Sequence, residues 1–257
     1  MNRMKWLETL LYLLVSIGFV LGIWQLVIWI GDYPEALLPS PLVVGEGLVS
    51  LIRSGAMADH VSISLFRFFA GYLSAVLIAI PLGLLLGRSN VMWRIVDPVV
   101  QVLRPVAPVA WSPFIVLWFG IGNMPAIVII FIAAFFPVLL STVSAVKKVD
   151  RTYLKLAENL EIGKVSLLVK IIFPAAFPYI ANGLHIAVGT AWIFLVAGEM
   201  IGAQSGLGYL IVDARNALDL DLVLAGIITI GVLGLLLDKA VGLFETWVGK
   251  QWGMQRA

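Results

Sequence analysis

Apolar positions run almost unbroken for twenty or more residues at a time along this chain, and polar positions collect in the gaps. The apolar runs cover about residues 7–30, 61–86, 95–119, 124–146, 175–200 and 222–247. A helix needs about 20 apolar residues to cross a hydrocarbon core roughly 30 Å thick, and only a helix satisfies its own backbone there within one segment. The pattern predicts an all-α membrane protein with about six transmembrane helices, forming a single transmembrane domain over residues 1–257. Trp6 and Trp29 stand near the two ends of the first run, as an interfacial aromatic belt requires. That run is too long for a signal-peptide core and lacks a small-residue cleavage pattern, so it reads as a retained helix.

The gaps differ in kind. Gly31–Pro41 (GDYPEALLPSP) reads as a loop, Leu42–Arg53 as a short amphipathic helix, and Ser54–His60 as a second connection. Gly87–Arg94 is a short loop, and Ile201–Asp221 is a Gly-rich connection carrying Asp213, Arg215, Asp219 and Asp221. The third run holds Pro98, Pro105, Pro108 and Pro113 with Gln101 and Arg104. Each interior Pro removes a backbone donor, and such breaks persist at membrane depth only against protein or a water-filled cavity. This run should face the protein interior. In the fifth run, Gly183, Ala187 and Ala191 recur every four residues as a close-packing stripe.

The gap at residues 150–174 (DRTYLKLAENLEIGKVSLLVKIIFP) is of another character. Charges recur through it, and Lys147 and Lys148 precede it. Leu156, Leu160, Leu167 and Ile171 fall at helical spacing, with Lys155, Glu158, Asn159, Ser166 and Lys170 largely on another side. Gly163 would split this pattern into two short helices, and Pro174 would end the second. Lys and Arg in the short loops set orientation. With six spans, the termini, Arg88, Arg94, Lys147, Lys148 and the 150–174 stretch share one side, which is then cytoplasmic; Arg53 and Arg215 lie on the other.

Composition narrows the function. Of 257 residues, 61% are hydrophobic and 12% charged, against about 25% charged in soluble domains. The absence of cysteine excludes disulfides and thiolate ligands. The formal net charge of +2 gives no reason to expect nucleic acid, and two histidines without clustered acids give none to expect a metal. No Ser-His-Asp set or paired carboxylates are sensibly placed, and neither IGKV (162–165) nor VGKQ (248–251) is a phosphate loop. The chain reads as a non-enzyme that binds no cofactor of its own.

At this point a family resemblance enters. LAENLEIGKVSLLVKIIFPAAFPYIANGL resembles the cytoplasmic "EAA" loop of permease subunits of bacterial ABC importers. LPSP (Leu38–Pro41), LRPVAPVAWSPFIVLWFGIG (Leu103–Gly122), AWIFLVAGEMIGAQSGLGYLI (Ala191–Ile211) and DLVLAGIITIGVLGLLLD (Asp221–Asp238) resemble its nitrate/sulfonate/taurine/bicarbonate branch. The likeness runs in order from about Leu37 to the end. One departure stands out: counted back from Pro174, the family's glycine slot holds Glu161, and its E-A-A positions hold Lys155, Leu156 and Ala157.

The resemblance implies a multi-pass permease of the bacterial inner membrane, working as a homodimer among membrane lipid. Two cytoplasmic ATPase subunits, which bind ATP and Mg, would engage it through Ala157, Glu158, Asn159, Leu160, Glu161, Ile162, Gly163, Lys164 and Pro174. A periplasmic or lipid-anchored binding protein would deliver the solute: a small oxyanion or sulfonate, with thiamine- or riboflavin-related compounds as alternatives.

Several single residues keep two readings. Arg104 either lines a translocation path for an anion or snorkels at the interface. Trp111 and Ser112 either touch solute or pack between helices. Glu199 is a structural or gating group rather than a solute contact, since its charge would repel an anion. Asn182 and His185 read as interhelical hydrogen bonds, and the outer aspartates either dock the binding protein or are solvated. The rival function is an ion-gradient-driven carrier or channel, which expects matching broken helices in two halves; only the third run is broken.

Overall fold

The computed structural model describes residues 2–35, 37–150, 152 and 162–251, and every regular element among them is helical. In order these are α1 (Asn2–Gly31), α2 (Pro41–Arg53), α3 (Ala56–Arg88), α4 (Asn90–Leu103), a 3-10 turn (Pro108–Trp111), α5 (Ser112–Phe119), α6 (Asn123–Lys147), α7 (Lys164–Leu167), a π turn (Leu168–Ile172), α8 (Phe173–Gly202), α9 (Leu207–Ala217) and α10 (Leu220–Gln251). Among the described residues, five stretches are long and apolar enough to cross a membrane, in α1, α3, α6, α10 and the run Val165–Gly202. A sixth is the pair Asn90–Leu103 and Pro108–Phe119, if its two arms, bent by 86°, count as one span.

The chain divides into two compact units, residues 1–59 with 210–229 and residues 60–209 with 230–257. In the first, Ser40 caps α2 by accepting the Val43 N–H, and Pro41 occupies the first turn, where no donor is missed. α2 buries Val44, Gly47 and Leu51, and Gly47 lies against Asp221 and Leu222 at the start of α10. None of α1's apolar window is buried.

In the second unit α6 is central, with half of its apolar window buried. Lipid is as apolar as a leucine side chain, so helix pairs in a membrane gain by close backbone approach. The spacing of small residues delivers it. Ala187 and Ala191 of α8 are fully buried, and a Cβ on Gly183 would collide with Ser141 of α6. On the other flank, a Cβ on Gly87 of α3 would sit 2.7 Å from the Val146 Cβ. Pro137 inside α6 leaves the Ala133 carbonyl without its helical donor, and the Thr190 hydroxyl of α8 stands 3.4 Å from it.

Several boundaries differ from the sequence reading, each for a local reason. The connection expected over 54–60 shrinks to Ser54–Gly55, because Gly55 at φ +82° turns the chain straight into α3. The 87–94 loop is Ser89 alone, which caps α4 by accepting the Met92 N–H. The 201–221 connection contains α9, whose first amides are held by side chains from elsewhere. Pro174 does not end a helix: Phe173 N–H bonds to Leu168 O across a π turn, and Pro174 falls in the first turn of α8 within one helical run. The wider π turn accommodates the missing donor of Pro174.

Candidate functional site

Arg67 lies inside the apolar helix α3 and is 1% exposed. A cation there must find partners or a cavity. Its five N–H donors are all matched. Nε and Nη2 donate to Asn123 Oδ1 at 2.9 and 2.8 Å. Nη2 also reaches Ser205 Oγ at 2.8 Å, and Nη1 donates to the Ser205 carbonyl at 2.6 Å and to Glu199 Oε1 at 2.7 Å. Glu199, three residues before the end of α8, is equally buried. It accepts from the Ser64 hydroxyl at 2.8 and 2.9 Å and, through Oε2, from the Gly208 N–H at 2.8 Å.

The same cluster caps α9. A helix start leaves its first N–H groups unpaired. Here Gly206 N–H donates to His60 Nδ1 at 3.1 Å, Leu207 N–H to Ser64 Oγ at 2.8 Å, and Gly208 N–H to Glu199. Gly206 has φ +99°, and a Cβ there would collide with the Glu199 carboxylate and come 2.6 Å from Arg67 Nη1. One buried ion pair thus ties α3, the start of α6, the end of α8 and the turn into α9.

A cavity of about 480 Å³ lies elsewhere in this unit, beside the bend that follows α4. Arg104, Val106 and Pro108 form one wall, with residues of α6 and α8 including Ala133, Ser141, Gly183 and Thr190 on the others. Arg104 is the charged group among the lining residues. The Ser141 and Thr190 hydroxyls donate to helix carbonyls, Ser141 to Val138 at 3.0 Å and Thr190 to Ala187 at 3.1 Å. That leaves Arg104 as the strong donor facing the space.

Residues 79–250 match the family described as the inner membrane component of binding-protein-dependent transport systems. The chain belongs to this family.

Relatives cover the permease nearly end to end. It is 35% identical to the putative aliphatic sulfonates transport permease SsuC of Bacillus subtilis, over 95% of this chain and 87% of that one. It is 36% identical to the taurine transport system permease TauC of Escherichia coli (92% and 90%). Identity to the nitrate import permease NrtB of Synechocystis is 33% (91% and 87%). In fold it resembles a chain of the MetNI methionine ABC transporter solved in inward-facing conformations. The TM-score is 0.54 at 22% identity, covering 70% of this chain and 93% of that one. Such permeases are membrane components of transporters, not enzymes.

The sequence-singled residues scatter across the permease. Arg104 is exposed and lines the cavity; Trp111 is half-buried and Ser112 buried, both beside the bend but off its wall. Glu199 is not on the cavity either. The cluster around it, with Ser64, Arg67 and Gly208 bonded to Glu199, Asn123 and Ser205 to Arg67, and His60 to Gly206, was not assembled from the sequence, because its members come from four separate segments: α3, the start of α6, the end of α8 and the turn into α9. His185 reaches across to α10, with Nε2 2.8 Å from Asp238 Oδ1 and Nδ1 3.4 Å from Glu245 Oε2; Asn182 is exposed. Asp219 N–H and carbonyl link α9 to α10, and Asp221 packs on Gly47.

Of the coupling stretch, Ala157, Glu158, Asn159, Leu160 and Glu161 lie outside the described residues. Ile162 and Gly163 are non-helical and precede α7, which begins at Lys164; Gly163 has no positive φ, and nothing lies within 4 Å of where its Cβ would be. At the start of the stretch, Asp150 accepts from the Thr152 N–H and hydroxyl, both at 2.8 Å, and these bonds hold its carboxyl below the ordinary range.

Proposed function

We propose that this permease moves a small oxyanion or sulfonate, of the class of nitrate, bicarbonate, taurine or an alkanesulfonate, inward across the membrane. The Arg104 cavity carries the reading: a mostly apolar space of about 480 Å³ with one cation on its wall suits a small anion passing without tight capture. The names of the relatives above support the same class. ATP hydrolysis on separate ATPase subunits, which hold ATP and Mg, drives the cycle through residues 150–174. Two permease copies assemble, a binding protein delivers the solute, and both termini face the cytoplasm with the Lys- and Arg-rich loops.

In this reading Arg104 attracts the anion, Trp111 and Ser112 shape the bend, and Glu199 with Arg67 clamps the helix ends that any gating motion must carry. The test is reconstitution of the permease with its ATPase and binding protein in liposomes. Uptake should require ATP, and a cysteine at Gly163 should cross-link to the ATPase. Uptake without ATPase or ATP would replace this reading with a gradient-driven carrier. Arg104→Gln should slow anion uptake several-fold while leaving ATP hydrolysis in place; unchanged uptake would remove Arg104 from the path.

A further inference from the structure

A proline inside α6 leaves an acceptor under-satisfied on the wall of the Arg104 cavity. In an unbroken helix the N–H of residue 137 would bond to the Ala133 carbonyl, and Pro137 has no N–H. Ala133 is buried, where a carbonyl normally finds a partner. Among the described residues, the side-chain donor that reaches this carbonyl is the Thr190 hydroxyl of α8, at 3.4 Å. That hydroxyl lies nearer two carbonyls of its own helix, Ala187 at 3.1 Å and Ile186 at 3.2 Å. It has one proton to give, so it does not satisfy Ala133 as well. Ala133, Pro137 and Thr190 all line the cavity, so the carbonyl belongs to its wall.

The cavity thus carries two complementary groups. Arg104 supplies N–H donors to an anion, and the Ala133 carbonyl takes a donor. Phe136 and Phe194 line the same space, and aromatic faces attract an ammonium group. Among the described residues no carboxylate lines it, so a bare cation would meet Arg104 without a counter-charge. A short solute with an anion at one end and an ammonium at the other matches both groups within one space of about 480 Å³. We propose that this cavity favours a short zwitterion, of the amino-sulfonate class, over anions that carry no N–H donor. The inference rests on the reading of the cavity as an anion passage and narrows it.

Water is the competing partner of the carbonyl. An ammonium on the solute reproduces the hydrogen bond of the water it displaces. A methyl group in the same place displaces the water and leaves the carbonyl unmet, which loses affinity. Nitrate and plain alkanesulfonates therefore engage Arg104 alone, whereas an amino-sulfonate engages both walls.

The test is equilibrium dialysis on the full-length permease assembled with its ATPase in micelles, with no binding protein present to add its own selectivity. The probes are taurine, ethanesulfonate, which lacks only the ammonium, and nitrate. Taurine should bind roughly tenfold more tightly than ethanesulfonate, which is what one hydrogen bond from a charged donor brings. Pro137→Ala returns an N–H to the Ala133 carbonyl in a residue that suits a helix, so it should fold at least as well and erase the preference. Thr190→Val deletes the shared hydroxyl and should keep the preference. Equal binding of the two sulfonates by the wild type overturns the proposal, as does an undiminished preference in Pro137→Ala or failure of taurine to bind at millimolar concentration. If all three probes bind alike and Arg104→Gln weakens all three, only this inference falls. If Arg104→Gln leaves all three unchanged, the anion passage falls with it.

Discussion

Two charged networks bridge helices in the larger unit, and they follow opposite rules. At Arg67 and Glu199, both side chains are essentially inaccessible, at 1% and 0%, and the guanidinium and carboxylate are fully coordinated. At His185, Asp238 and Glu245, exposures are 35%, 63% and 14%, and one contact stretches to 3.4 Å. Where water is excluded, an ionic group persists only if every donor and acceptor is met, since an uncompensated buried charge is very costly. Where solvent or headgroups reach, the geometry is free to loosen, and the net contribution is small.

The comparison breaks most sharply at Glu199. Glu199→Ala leaves Arg67 buried without its counter-ion and strips the cap from Gly208. The expected loss is about 3–5 kcal/mol, by analogy with other broken buried pairs, read as thermal or denaturant unfolding in micelles. Arg67→Met/Glu199→Met should recover part of it, because no orphan charge remains. A single-variant loss below about 1 kcal/mol would place the buried pair in the same class as an exposed one.

Gly206→Ala comes next. Its positive φ costs about 1–3 kcal/mol in a non-glycine residue, and the new methyl group meets the Glu199 carboxylate directly. Unfolding should shift by at least that amount. No shift would mean that the turn into α9 has slack that its short contacts do not suggest.

His185→Gln should change stability by less than about 1 kcal/mol. Moderate salt should erase even that, since partly exposed pairs are screened. A larger loss would show that the exposed triad is held as tightly as the buried pair.

This contrast also explains what the sequence could and could not disclose. Long apolar runs and small residues at intervals of four are local signals, so the spans and the α8 stripe of Gly183, Ala187 and Ala191 were readable. In the sequence Arg67 is one of several polar positions in the first half of its run, with Ser62 and Ser64, and Glu199 is a single carboxylate in LVAGEMIG. Their pairing depends on antiparallel helices bringing two depths into register, and a lone cation and a lone anion near the same membrane face were the available clue. The single-residue turn at Ser89 was hidden because a capping serine looks like any loop residue. The helix α9 was hidden because its amides are satisfied by His60, Ser64 and Glu199, far away in sequence. Pro174 misled for the opposite reason: a π turn just before it absorbs what proline normally breaks.

Asp150 carries the comparison to its limit, a carboxylate with no burial at all. Its carboxyl is held below the ordinary range first by the Thr152 N–H and then by the Thr152 hydroxyl. A depressed acid supports its local turn above the ordinary carboxylate range, near about pH 4, and that support is lost as pH falls through the lowered value. Thr152→Val deletes only the hydroxyl, so the Asp150 titration should move part of the way back up, while Thr152→Pro, which also removes the N–H, should move it further. Carboxyl carbon shifts followed by NMR give the readout, and global unfolding should not change, because both groups stand in water. An Asp150 titration indifferent to both variants would mean that these bonds do not outcompete solvent at zero burial. The coordination seen around Arg67 and Glu199 would then be a consequence of burial alone.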